Sequence, residues 1–441
     1  MADIRPFHGL RYNLEIVGDL STVITPPYDV ITPEQQYSYH QRSPYNIIRL
    51  EFGEELPNDV SGNKYSRAAN TLNEWLRKSI LVREKHPAFY LTEHRFPYKD
   101  GLQSYWGLIA AVRLEDLRAG RIRLTEITMK EPALDRLSLL KACRANFCPI
   151  MGIFNQGEGS LLPLFQDVTL DSPSLAGVDD SGVTFNVWIV TEKETIRKVS
   201  EFFANKVLYI ADGHHRYEVA KAYRDEQLVV HPDSSGDEAF NFVMMTLIDS
   251  RDPGLAMLPV HRLVRGIDPD GIAKLGGRLA DYFQIQELIP SSSGASEGLH
   301  DWMAALNEAG NRGVAFGLYG LSPRKFHLLT PRDVLTLHNM LPEDKPMPWR
   351  ELDVSLLHWV ILREMLGIDS PEKGKECLEY SPDESEVLRK VDAGISPLAF
   401  LLNPVPVSSV LAVADAGVRM PPKSTYFYPK TPAGLVINPL W

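Results

Sequence analysis

Apolar residues along the chain recur at two spacings, and each predicts a different element. In "YSRAANTLNEWLRKSILV", Ala68, Leu72, Trp75, Leu76 and Ile80 fall on one face at helical intervals. The segments "AFYLTEHRF" and "YWGLIAAVRL" are short, apolar and aromatic, and read as the two strands of a hairpin across "PYKDGLQS". A helix start is written into "ITPEQQYSYHQ", where Thr32, Pro33 and Gln35 fit the cap, first and third positions of a capping box. Val207 to Ile210 has the composition of a buried strand. From Tyr217 onward Val219, Ala220, Ala222 and Tyr223 follow helical spacing, so the intervening "ADGHHR" is a strand-to-helix turn.

Strands and helices are mixed without regular alternation, which predicts an α+β fold. A chain of 441 residues exceeds what one hydrophobic core usually supports. Two domains are expected, 1–230 as a core with an N-terminal elaboration and 231–441 as a second α+β domain. The loose runs "DSSGD" and "IPSSSGASEG" are the expected breaks in the second half.

Charge narrows the partners. The net charge of −11 argues against a general nucleic-acid coat or an anionic membrane surface, both of which select for excess Lys and Arg. Any anion site must therefore be local. Cys143, Cys148 and Cys377 form no CxxC pair and are too few for a disulfide framework. No apolar run reaches the length of a membrane span or a secretory signal, so a cytoplasmic protein is expected.

The turn "ADGHHR" carries the densest chemistry. A helix N-terminus offers N–H groups and a partial positive charge, Gly213 permits close approach, and Arg216 can fork two bonds to phosphate oxygens. His214 and His215 add donors or proton shuttles, while Asp212 either caps the helix or fixes the loop. Adjacent histidines diverge on a helix, so no His-based metal site is expected. Glu126, followed by Asp135 and Arg136, can supply a base and a phosphate clamp, or be an acidic cluster at a helix start. In "MPPKSTYFYPK", Lys423, Ser424 and Thr425 can bind a carboxylate or phosphate, or lie on an exposed edge strand. Asp29 follows the rigid "TPP" turn, suited to magnesium, a substrate or ordinary turn chemistry. His261 and Arg262 interrupt an apolar strand, as an anion contact or as satisfied buried groups.

The Asp-Gly-His-His-Arg turn between strand and helix resembles the nucleotide-binding turn of the ParB/sulfiredoxin superfamily, and within it the archaeal free serine kinases. Over its whole length the chain resembles a bacterial family marked by "PPYDVI", "ADGHHRYE" and "PPKSTYFYPK". The kinase resemblance extends to "LTEITMKEPALDRLSLLKACRANFCPI", where Glu126 matches a catalytic Glu, and to "AFLLNPVPVSSVLAVADAGVRMPPKSTYFYP", where Lys423 and Thr425 match substrate-side residues. It implies a ParB/sulfiredoxin-like core with a C-terminal segment, about 396–441, returning to the active-site cleft. It further implies a nucleotide-dependent phosphotransferase acting on a small hydroxyl compound such as L-serine, with magnesium and ATP or ADP as donor. The alternatives are a phosphoserine-directed phosphatase and a non-catalytic nucleotide-gated regulator. Sulfiredoxins place a Cys beside this turn; the chain has none there, which disfavours thiol repair.

Overall fold

The structure, a computed structural model, describes residues 2–441 except 58, 60–62, 100, 117–119, 129, 156, 158–160, 268 and 290–294. Two compact units divide the chain. The first comprises residues up to Leu124, Thr128–Ala256 and Pro429–Trp441; the second comprises Thr125–Ile127 and Met257–Tyr428.

The sheet of the first unit is built from β1 (Ile4–Arg5), β2 (Phe89–Tyr98), β3 (Gly101–Arg113), β4 (Ile122–Leu124), β5 (Ile150–Phe154), β6 (Leu175–Val178), β7 (Thr184–Val190), β8 (Leu208–Asp212) and β9 (Phe242–Asp249). Their order is β4-β8-β5-β9-β3-β2-β7-β6, with β1 alongside β3. The expected hairpin is its centre, and Tyr98 pairs with Gly101, so most of the expected loop is strand. The β4–β8 and β5–β9 pairs are parallel and the others antiparallel.

The helices of this unit that matter to the site are α1 (Pro33–Arg42), α2 (Asn63–Arg77), α3 (Lys130–Cys143), α4 (Lys193–Phe203) and α5 (His214–Val230). The capping box forms as the sequence indicates, with the Gln35 N–H donating to Thr32 Oγ1 at 3.2 Å and the Thr32 N–H to Gln35 Oε1 at 2.9 Å. On α2, Ala68, Leu72 and Trp75 are buried. One sheet face carries the core: Leu91, Leu108, Ile150, Phe154, Met245 and Leu247 pack with Val199 and Phe203 of α4 and Tyr217 and Ala220 of α5.

The expected boundary at residue 230 is corrected. Residues up to Ala256 belong to the first unit because β9 inserts between β3 and β5. The C-terminal segment divides too, its last thirteen residues, Pro429–Trp441, lying in the first unit. Residues 290–294 of the expected "IPSSSGASEG" break lie outside the described residues.

In the second unit, β10 (His261–Val264), β11 (Phe283–Leu288), β12 (Phe316–Tyr319), β13 (Phe326–Pro331), β14 (Leu378–Ser381) and β15 (Leu398–Leu401) form an antiparallel sheet ordered β11-β13-β12-β15-β10-β14. Trp302, on α6 (Ala295–Arg312), stacks on Phe326 at 5.3 Å over a core that includes Leu306, Tyr319 and Leu401. Residues Leu357–Met365 wind as a π-helix, closed by the Leu366 N–H donating to Ile361 O at 3.0 Å.

Asp353 sits just before that segment, and burial pushes its carboxyl up to about 7. The folded chain then keeps a proton that the unfolded chain, with an ordinary value of 3.8, releases. Its stabilising effect is complete below about pH 4 and is lost as pH rises through about 7. Asp353→Asn is expected to flatten the stability profile between those limits and to be more stable than the parent at pH 8, as read by denaturant midpoints. Parallel profiles would contradict the burial.

Candidate active site

The strand-to-helix turn is the first cluster. β8 ends at Asp212, Gly213 takes φ 89 in the left-handed region, and α5 starts at His214. Asp212 is therefore not the cap, and Gly213 at that position has no side chain to offer the helix N–H groups. A Cβ at 213 would stand 2.9 Å from Nε and Nη2 of Arg216, because that side chain folds back over the turn. The left-handed backbone is what demands glycine at 213, and the Arg216 guanidinium occupies the space this leaves.

Arg216 is spent on the loop rather than standing open as a clamp. Its Nη2 pairs with Asp212 Oδ2 at 2.6 Å, and its Nη1 donates to Pro149 O and Cys148 Sγ, each at 2.7 Å. The other Asp212 oxygen, Oδ1, receives Lys430 Nζ at 2.6 Å, and the same ammonium reaches Asp29 Oδ2 at 3.1 Å. Burial works to raise the Asp212 carboxyl, yet the Lys430 and Arg216 cations outweigh it and hold the group well below the usual carboxylate range. Burial raises the Cys148 thiol to about 12, which keeps it protonated and inert as a nucleophile.

A second layer supports this network. Arg136 of α3, only 6% exposed, lies 4.1 Å over the Tyr28 ring and donates to Glu51 O at 2.6 Å and to Asp135 Oδ2 through Nε at 2.8 Å. Burial raises the Glu51 carboxyl, against the lowering pull of Arg136 and Arg216. Thus "PPYDVI" delivers two side chains here, Tyr28 beneath Arg136 and Asp29 to Lys430.

The second cluster belongs to the other unit. Glu126 forms a parallel bridge with Met420, and its carboxylate receives the Thr425 N–H at 2.7 Å, the Thr425 hydroxyl, and the Lys423 N–H at 3.1 Å. Lys423 adopts φ 58, which aims these N–H groups at one carboxylate. Burial raises the Glu126 carboxyl, opposed by the Thr425 hydroxyl and N–H and then by Lys423 and Arg262. Arg262 is buried, donates through Nη2 to Lys423 O at 2.9 Å and lies 4.9 Å over the Tyr380 ring. Glu126 is thus the keystone of the "PKST" turn and not an acidic residue of a helix start.

Of the remaining expected residues, His214 is buried and His215 half-buried at the start of α5. Ser424 is buried, its hydroxyl donating to Pro421 O at 2.7 Å. His261 accepts the Leu402 N–H at 3.1 Å, and burial pushes its imidazole down to about 3, so it is neutral. Sequence reasoning missed Lys430, Tyr28 and Glu51. The first was visible only as the second lysine of "PKSTYFYPK". Among the described residues no group of three or more His, Cys, Asp or Glu side chains is placed to hold a metal ion, and no helix is long and apolar enough to cross a membrane.

Residues 4–355 match the family described as "Protein of unknown function (DUF1015)", and the chain belongs to it. No curated protein matches the sequence. Among solved structures, the chain is similar to a conserved hypothetical protein from Pyrococcus furiosus at 12% identity and TM-score 0.36, covering 74% of this chain and 93% of that one. It is similar to a free serine kinase in complex with AMP at 10% identity and TM-score 0.35, covering 73% and 86%. A third likeness is to SbnI with a C-terminal truncation from Staphylococcus aureus, at 11% identity and TM-score 0.33, covering 75% and 87%.

Removing the ammonium that joins Asp29 and Asp212 leaves a mostly buried carboxylate short of one cation. Lys430→Met is expected to cost on the order of 2 kcal/mol of unfolding free energy. In a double-mutant cycle with Asp212→Asn the coupling should be at least about 1 kcal/mol. Additive effects in urea denaturation would show that the pair is not a structural bond.

Proposed function

We propose that the chain is a nucleotide-dependent phosphotransferase on a ParB/sulfiredoxin-like core, acting on a small hydroxyl compound with L-serine as the first acceptor to try. One observation carries this function: an αL glycine opens a 17-residue helix at a strand end, and Asp212 beside it holds the cation of Lys430. The α5 N-terminus favours negative charge, and phosphate oxygens would meet its first-turn N–H groups, the space over Gly213 being taken by Arg216. His214 and His215 contribute donors in the first turn. Lys430 supplies the cation that Arg216, spent on the loop, does not.

The donor is ATP or ADP with magnesium. A magnesium site needs only one or two protein carboxylates beside phosphate oxygens, and Asp29 and Asp212 are two carboxylates that meet on one ammonium. They would hold the ion, which supplies neutralisation of phosphate charge.

Glu126 is the proton acceptor in this account. Its carboxylate accepts from the Thr425 N–H and hydroxyl and from the Lys423 N–H, which hold it in one orientation. Burial raises its carboxyl toward the range where a general base works best. The acceptor oxygen bonds to the terminal phosphorus, the bond from phosphorus to the bridging oxygen breaks, and the hydroxyl proton passes to Glu126. Lys423, exposed beside it, and Thr425 orient the acceptor.

Incubation with magnesium, L-serine and either ATP or ADP is expected to yield O-phosphoserine and the shortened nucleotide. Phosphoserine hydrolysis without nucleotide would point to a phosphatase instead, and nucleotide binding without turnover of any hydroxyl acceptor would point to a regulator. Glu126→Gln is expected to lower single-turnover rates by roughly 100-fold or more while nucleotide affinity stays within about twofold. The same change sets an amide NH2 against a backbone N–H, so it should also cost about 1–3 kcal/mol of stability. A normal rate with only the stability loss would leave Glu126 an anchor of the turn.

A further inference from the structure

A cavity of about 250 Å3 lies in the first unit, away from the α5 turn. Asp212 pairs with Met151 and Asp249 with Phe154, so the two places are separated by three residues of β5, about 10 Å along the strand. The cavity opens beside the Asp249 end. Its body is apolar, walled by Leu91, Trp106, Phe154, Leu161 and Leu247, and Trp106 leans on Trp188 at 5.5 Å.

Its mouth is charged and built. Asp249, Arg251 and Asp252 line it, on a turn whose geometry is fixed from several sides. Asp249 Oδ1 accepts the Arg251 N–H at 3.1 Å, and Asp252 accepts the N–H groups of Trp106 at 3.0 Å and Gly254 at 2.9 Å. A Cβ at Gly254 would fall 1.9 Å from Ser104 O, so the turn can press onto β3 only with glycine there. Two carboxylates are thereby held near each other beside an apolar slot. Burial raises the Asp252 carboxyl, the Trp106 and Gly254 N–H groups pull it down and Asp249 raises it, while Arg251 Nε stands 3.8 Å from Asp249 Oδ1, a loose pair that a zwitterion could enter with its ammonium on the acid and its carboxylate on the guanidinium. Arg251, whose side chain is 56% exposed, faces Asp249 through Nε and donates through Nη2 to Gly157 O at 3.0 Å, and its fork of five N–H donors lies at the rim.

We propose that this cavity binds an apolar α-amino acid, its side chain against Trp106, its ammonium at Asp249 and its carboxylate at Arg251. The volume is below the roughly 300–1,000 Å3 of pockets for drug-sized ligands, which suits a molecule of this size. Pre-placed carboxylates on a rigid turn lower the ordering cost of binding.

Calorimetric titration of the full chain with L-leucine and L-phenylalanine tests this directly, with phenethylamine and 3-phenylpropionate as analogues lacking one charge. Saturable binding is expected for an amino acid, with the matching amine and acid at least about tenfold weaker. Asp249→Asn keeps the acceptor for the Arg251 N–H and should weaken the amino acid and the amine but not the acid. Arg251→Ala, at an exposed side chain, should weaken the amino acid and the acid but not the amine. ADP affinity should be unchanged in both variants, which separates this cavity from the α5 turn. No saturable binding by either amino acid, an amine or acid that binds as tightly as the zwitterion, or indifference to both variants would each overturn the proposal.

Discussion

The carboxylate of Asp212 sits at the end of β8 between two cations, Arg216 on one oxygen and Lys430 on the other, and the candidate site depends on that sharing. Ion pairs this far from water gain little net stability over apolar packing, because desolvation consumes most of the attraction. What they supply is arrangement. Arg216 folds back over the turn through the space where a Cβ of residue 213 would stand, and its second nitrogen ties the turn to Pro149 just before β5. Lys430 ties the same carboxylate to Asp29, nearly the whole chain length away in sequence. Four charged groups of alternating sign thus fix the start of α5 in one geometry.

That division of labour separates two cations by role. Arg216, with a rigid fork matched to carboxylate and carbonyl oxygens, serves the protein's own loop. Lys430 is a point charge on a flexible stem, and it bridges two carboxylates, Asp29 and Asp212. In the second unit the logic is reversed, since one carboxylate, Glu126, collects several donors from the "PKST" turn. Burial raises that carboxyl against the pull of the same donors, so the turn and the acid hold each other in place. Each unit thus holds its own charged cluster, one carboxylate between two cations in the first and one carboxylate among several donors in the second.

Local features of this fold were legible in the sequence, and long-range ones were not. The capping box of Thr32 and Gln35, the hairpin of β2 and β3, and the strand-Gly-helix turn at Gly213 each follow from neighbouring residues, although at the turn the strand runs two residues further and the helix starts three residues earlier than the pattern indicates. The membership of β9 in the first sheet depends on pairing with strands more than 90 residues away, a relation that periodicity does not encode. Lys430 was hidden among prolines and aromatics that read as packing. Arg216 was visible as an arginine, but whether its guanidinium meets a ligand or Asp212 is decided by the Cβ-free space over Gly213. The π-helix of Leu357–Met365 has the apolar content of an α-helix and differs only in which carbonyl each N–H finds.

The central claim, that the α5 start with Lys430 is a phosphate site, is tested most directly by comparing ADP affinity in Lys430→Met and Lys423→Met. Both changes remove one lysine charge, so the global field changes equally. Lys430→Met is expected to weaken ADP at least about tenfold, the scale of a lost charge-assisted contact, and Lys423→Met to leave it within about twofold. Equal affinities in the two folded variants would contradict it.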